Sequence, residues 1–230
     1  MMKNYLLGFG LIVPMLLGYR SIESKKTIAP QQKIKPAGFI PKGFVLFNTV
    51  KGDLNKDGLQ DVVLIVKGTD KSKIIVNRFE ERVDRNRRGI IILMNKRGRY
   101  ELAIRNLDCF SSENEDGGVY FPPELGVQIE KGNLYIQYSH GRYGYWRYTF
   151  RFRNADFELI GYDSSDNFGP RIDRETSMNF LTKKKLVKEN TNQNAEGGDE
   201  VFKEKWSALP ANPLVKLSQI KDFDELMSGE

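Results

Sequence analysis

The 230-residue chain holds one cysteine and one histidine. A single cysteine excludes a disulfide framework and the cysteine-rich zinc and iron–sulfur sites, and a single histidine excludes two-histidine metal motifs. No uninterrupted apolar run reaches the ~20 residues that a spanning helix needs. Charge of either sign is not in great excess: 36 Lys and Arg face 30 Asp and Glu, a net of +6. That surplus includes lysines of the first 42 residues, so the remainder is less basic than the total, and no basic recognition helix is visible. Nucleic acid is therefore not expected as a partner. What is present is an ordinary globular balance, 40% hydrophobic and 29% charged, with 14 Phe, 10 Tyr and 2 Trp. This suffices for one large domain with an appendage and excludes wholesale disorder or collagen.

Residues 1–24 have the layout of a secretory signal. Lys3 precedes the apolar run YLLGFGLIVPMLL at 5–17, and polarity returns at Arg20, Glu23, Lys25 and Lys26. Gly8, Gly10 and Pro14 interrupt the run, which suits a cleavable leader better than a permanent anchor. The alternative is a buried amino-terminal segment. Leu16-Leu17-Gly18 resembles a lipoprotein box, but Tyr19 stands where the lipid-bearing cysteine would be, so no lipid anchor is expected. The sequence predicts an exported protein, periplasmic or extracellular, that meets a membrane only through this transient segment. Residues 25–42 read as a polar linker. The lone Cys109, between apolar neighbours, reads as a packed core thiol.

From Phe44 onward, short apolar or alternating runs are separated by Gly, Asn and Asp, which predicts strands at 44–50, 62–67, 89–94, 99–105, 126–130, 133–139, 145–153 and 156–162. Asn95 to Gly98 (NKRG) and Lys131 to Asn133 (KGN) are hairpin signals. In YGYWRYTFRFRN, Trp146, Tyr148, Phe150 and Phe152 alternate with Arg147, Thr149, Arg151 and Arg153, as in an antiparallel strand with one wet face. The arginine row could pair across strands or attract an anionic polymer. Residues 71–88 read as a charged loop, the alternative being a strand through Ile74 to Val76 followed by a charged loop or short helix. The predicted fold is mainly β: an antiparallel sandwich or open barrel-like domain at 43–189, a mobile connection at 190–200, and a segment at 201–230 that docks back. Trp206 and the LPANPL stretch are the expected anchors, with a short helix beginning near Asp222 or Asp224.

The sharpest motif is DLNKDGLQD at 53–61, followed directly by an apolar strand. Calcium takes 6–8 oxygens, and Asp53, Asn55 and Asp57 would supply side-chain oxygens from a tight loop turned by Gly58. Leu59 would offer its carbonyl, and Asp61 would bind directly or through water. One structural calcium would relieve the repulsion among the three aspartates. The alternative is a solvated Asn/Asp/Gly turn. An EF-hand would carry a Glu at the twelfth position, where this chain has Leu64. The loop resembles instead the calcium loops that precede strands in FG-GAP and VCBS-type repeats of extracellular proteins. Only one good copy is present, so a full propeller is not expected.

A weaker echo occurs at 112–120 (SENEDGGVY), where Ser112, Asn114, Asp116 and Gly117 match the alternation and Tyr120 replaces the last acid. It reads as a flexible acidic loop or a degenerate ion site. The succession of the Asp53 loop, this GG loop, YSHGRYGYW and FRFRNADFELIGYD resembles a group of uncharacterised exported bacterial proteins, to which no activity is attached. Ser139 and His140 are adjacent on a strand and point to opposite faces, so they form no nucleophile and base pair. No catalytic residue is singled out. The expected function is a calcium-stabilised binding module of the cell envelope, its partner a glycan or a protein. The alternative is a hydrolase acting on an envelope or extracellular polymer through the acidic loop.

Overall fold

A computed structural model of the chain describes residues 32–116 and 122–227. The expected signal at 1–24, the start of the linker, and Gly117, Gly118 and Tyr120 lie outside the described residues. The strands are β1 (Gln32–Lys33), β2 (Phe44–Gly52), β3 (Asp61–Gly68), β4 (Ile74–Val76), β5 (Arg82–Asp84), β6 (Arg88–Lys96), β7 (Arg99–Phe110), β8 (Glu124–Glu130), β9 (Asn133–Ser139), β10 (Gly144–Arg153), β11 (Asp156–Phe168), β12 (Arg171–Asn179), β13 (Lys184–Asn190) and β14 (Phe202–Ala208). One sheet runs β1-β7-β6-β3-β2 and the other β14-β13-β12-β11-β10-β9-β8, with β4 and β5 forming a separate hairpin. Every pairing is antiparallel. The chain is thus mainly β, a sandwich of open antiparallel sheets without a closed barrel. Among the described residues no helix is long and apolar enough to cross a membrane.

The main core lies between the sheets, where Val63, Ile65, Ile90 and Ile92 meet Leu134, Ile136, Tyr148, Phe150 and Phe157. One side of the sandwich closes where β2 meets β8: a Cβ added at Gly52 would stand 2.6 Å from the Ile129 side chain. The other side is closed by residues 215–223. The Leu159 N–H donates to the Val215 carbonyl, the Asn106 amide donates to the carbonyls of Leu217 and Ile220, and the Phe223 N–H donates to Cys109. These bonds drive Leu217, Ile220 and Phe223 into the core. Cys109 is fully buried there, and burial pushes its thiol up to about 12.

β3 and β6 are apolar on both faces, so a second layer must cover the outer one. Phe39, 1% exposed, does so with Val62, Leu64, Val66, Ile91 and Leu93. The stretch expected to be a linker therefore joins the fold from residue 32. Residues 71–88, expected as a loop, take up the alternative strand at 74–76 as β4 and pair it with β5 in a hairpin, whose turn is held by Asn77 accepting from the N–H groups of Phe79 and Glu81.

β12 to β14 extend the second sheet past the first as a three-stranded wing. Residues 190–200 are its hairpin connection, where Asn190 Oδ1 accepts from the N–H groups of Asn192 and Val201. Trp206, expected as an anchor, lies on the edge strand β14 and is 62% exposed. The docking is carried instead by Leu217, Ile220 and Phe223, and by Leu209, whose N–H donates to Lys183. In place of the short helix there is a 3-10 turn at Leu217–Gln219, followed by bends.

Candidate ligand-binding cleft and the Asp53 loop

The Asp53 loop gathers most of its named side chains around one stretch of backbone. The Asp57 N–H lies 3.1 Å from Asp53 Oδ1 and 3.0 Å from Asn55 Oδ1, so these two oxygens converge. Asp53 Oδ2 accepts from Gly58 N–H, and Asp57 Oδ1 from Leu59 N–H. The latter bond and the one from Asn55 Nδ2 hold the Asp57 carboxyl below its ordinary range. Asp61 does not join them. It is fully buried, and its two oxygens accept from the N–H groups of Leu54 (2.9 Å) and Asn95 (2.8 Å). Burial raises its carboxyl, and these bonds oppose the rise. Asp61 thus ties the loop to the end of β6. Asp53, Asn55 and Asp57 fit an oxygen-seeking cation, provided the Asn55 amide N–H leaves Asp57 Oδ2. Among the described residues no group of three His, Cys, Asp or Glu side chains is assembled as a metal cage.

The 112–116 stretch is fastened by cations. Lys67 Nζ contacts Asp84 at 2.9 Å and Glu113 at 2.6 Å, and Arg85 contacts Glu115 at 2.5 Å and Asp116 at 2.8 Å. The buried Arg88 donates to the carbonyls of Ser111 and Ser112. Ser112 Oγ donates to Glu115, and the Asn114 amide donates to the Asp84 carbonyl, so the groups of the weaker echo are engaged with the fold itself. Burial opposes ionisation of Glu115, but Ser112 and Arg85 outweigh it and hold the carboxyl low.

Beside this stretch lies a cleft of about 440 Å³, walled by Glu115, Asp116, Tyr138, Trp146, Tyr148, Tyr162, Phe223 and Asp224. β9, β10 and β11 supply the rings, because inward side chains on neighbouring strands stand side by side. Tyr138 stacks on Trp146 with centroids 5.3 Å apart, and Tyr148 packs on Tyr162 at 5.3 Å and on Phe223 at 5.1 Å. The Tyr148 hydroxyl donates to the Phe223 carbonyl. Asp224, an exposed residue, also lines it. Desolvation by the cleft wall and the neighbouring Asp222 raise its carboxyl, while Ser111 and Arg87 pull it down.

The sequence placed Trp146 and Tyr148 on one face of an alternating strand and marked the acidic loop as the candidate site of a hydrolase, and the structure brings them to one cleft. It missed Asp224 and Phe223 as wall residues, for they arrive from 77 or more positions beyond Trp146, with no local motif to mark them. His140 and Tyr143 form part of the β9–β10 connection, their rings 5.4 Å apart. The arginine row pairs across strands: Arg147 with Asp163, Arg151 with Asn133, and Arg153 with Glu158. Comparison with known protein families, characterised proteins and solved structures finds no match to the chain.

Proposed function

We propose that the protein is an exported, calcium-stabilised binding module of the bacterial cell envelope, which holds a glycan or protein component in the aromatic, acid-walled cleft. The observation that supports this reading is the cleft wall itself, where rings and carboxylates from three separate stretches of sequence line one concave space. A volume of about 440 Å³ lies within the ~300–1,000 Å³ usual for ligand sites, which combine apolar walls with a few polar groups. The leader-like residues 1–24 support export. The convergent oxygens of Asp53, Asn55 and Asp57 support one calcium, whose role is to stiffen the turn into β3.

The test is co-sedimentation of the chain lacking residues 1–24 with isolated bacterial envelopes. Trp146→Ala and Asp224→Asn are each expected to weaken retention by about tenfold or more, a loss of at least ~1.4 kcal/mol. Unchanged retention in both variants removes the cleft from the function.

One observation favours the hydrolase reading as a second. Within the cleft, the environments of Asp224 and Glu115 push their carboxyls in opposite directions, one above and one below the ordinary range. A general acid and an ionised partner require such a separation. Release of soluble fragments from an envelope polysaccharide, lost in both Glu115→Gln and Asp224→Asn, would decide for it.

A further inference from the structure

The composition of the cleft wall narrows the chemistry of its ligand. Among the described residues no Lys, Arg or His lines the cleft, whereas Glu115, Asp116 and Asp224 do. Arg85 serves the first two, and Arg87 is taken up by Asp108 and Asp222. Asp224 has Ser111 as a hydrogen-bond partner and makes no ion pair among the described residues. A second observation points to a ligand independently of the acids. Tyr138, 1% exposed, lines the same space and carries a hydroxyl with no hydrogen-bond partner among the described residues. Buried polar groups are ordinarily satisfied, so an orphaned hydroxyl in a cleft wall is a place for a ligand atom or water. Trp146, Tyr162 and three further rings share the wall with Ser111, Pro122, Pro123 and Met227, and ring faces attract cations through their quadrupole. Arg87 and the buried Arg88 also feel Asp224, but Arg87 is paired with Asp108 and Asp222 and Arg88 is bonded to the Ser111 and Ser112 carbonyls, so a neutral ligand would use the rings and leave Asp224 without a direct partner of opposite charge.

We propose that the cleft takes a compact organic ammonium, quaternary or alkylated, with Asp224 as its counter-ion and the half-buried Trp146 and Tyr162 rings beside its apolar substituents. The proposal rests on the reading of the cleft as a ligand site and places a cationic group there, whether carried by an envelope component or free in solution.

The chain has two tryptophans, and Trp206 lies far along the wing, exposed and outside the cleft wall. A Trp206→Phe protein therefore reports through Trp146 alone. Titration with choline is expected to change its fluorescence saturably. The neutral isostere 3,3-dimethylbutan-1-ol should bind about tenfold more weakly or worse, and Asp224→Asn should weaken choline by a similar factor without moving the melting temperature. Phosphatidylcholine vesicles separate the sources: a response to vesicles without one to free choline assigns the ammonium to a lipid head group, and the converse to a soluble amine. Equal binding of choline and its isostere, insensitivity to Asp224→Asn, or silence toward every ammonium overturns the proposal. If ammonium binding is absent while Trp146→Ala still abolishes envelope retention, the ligand chemistry is wrong and the cleft remains the site. If retention is also indifferent to Trp146→Ala, both fall together.

Discussion

Phe223→Ala tests how the sandwich is closed and how the cleft is walled at the same time. Phe223 is 1% exposed, and its ring packs on Phe110 at 5.0 Å, on Tyr148 at 5.1 Å and on Phe150 at 6.1 Å. Truncating a fully buried Phe costs about 3–5 kcal/mol through lost burial and the cavity left behind. Three ring contacts from both sheets argue against easy collapse of that cavity, which places the cost toward the upper end. A domain of this size loses roughly 2–4 °C of melting temperature per kcal/mol, so the expected drop is roughly 6–20 °C. The matched control is Trp206→Ala, at 62% exposure, which should stay within about 0.5 kcal/mol. Urea unfolding followed by far-ultraviolet circular dichroism gives both values without relying on either indole. A loss below about 1 kcal/mol for Phe223→Ala, or a larger loss for Trp206→Ala, would refute the assignment of Phe223 as the residue that seals the second side.

Three further outcomes are expected. Excess calcium should raise the melting temperature, by about 2.7 kcal/mol of added stability at 100 times the dissociation constant, and Asp57→Ala should abolish the shift; a shift that survives the mutation removes the loop from the argument. Asp61→Ala should destabilise the protein with or without calcium, because it orphans the Leu54 and Asn95 N–H groups at about 1–3 kcal/mol each; chemical denaturation in chelator reads this directly. Burial opposes ionisation of Asp84 and Glu115, yet the hydrogen bonds and cations around them depress both carboxyls. Their stabilisation is therefore complete above the unfolded carboxylate range, near ~4, and is lost as pH falls through the lower folded values. Lys67→Met removes one of those cations from Asp84, so unfolding free energy measured from pH 7 to 3 should fall less steeply than in the parent; parallel slopes would contradict this.

Eight of the ten strands from Phe44 to Phe168, all but β4 and β5, were legible because burial on one or both faces leaves a pattern of period two or an unbroken apolar run. The wing strands RIDRETSMN, KKLVKEN and FKEKWSA left no such trace. They lie beyond the first sheet, mostly exposed, and are held largely by backbone pairing, which imposes no hydrophobic alternation. The same reasoning explains Trp206: a large ring among charges reads as an anchor, but the segment that needed covering was reached by Leu217, Ile220 and Phe223 instead. Asp61 was legible as part of a motif but not in its orientation, because the spacing of acids in a loop does not reveal which one faces inward. The cleft was half legible. Trp146 and Glu115 stand out locally, whereas Asp224 acquires its setting only when residues distant in sequence meet.

The seal formed by residues 217–223 also sets an order of events for folding. The Asn106 side chain reaches Ile220 across 114 positions, and Tyr148 reaches Phe223 across 75. Loop-closure entropy must be overcome before such distant contacts reward it, so hairpins such as β10–β11 can form early while the interior between the sheets stays open. During synthesis, the aromatic layer around Phe110, Tyr148 and Phe150 remains uncapped until residue 223 has left the ribosome.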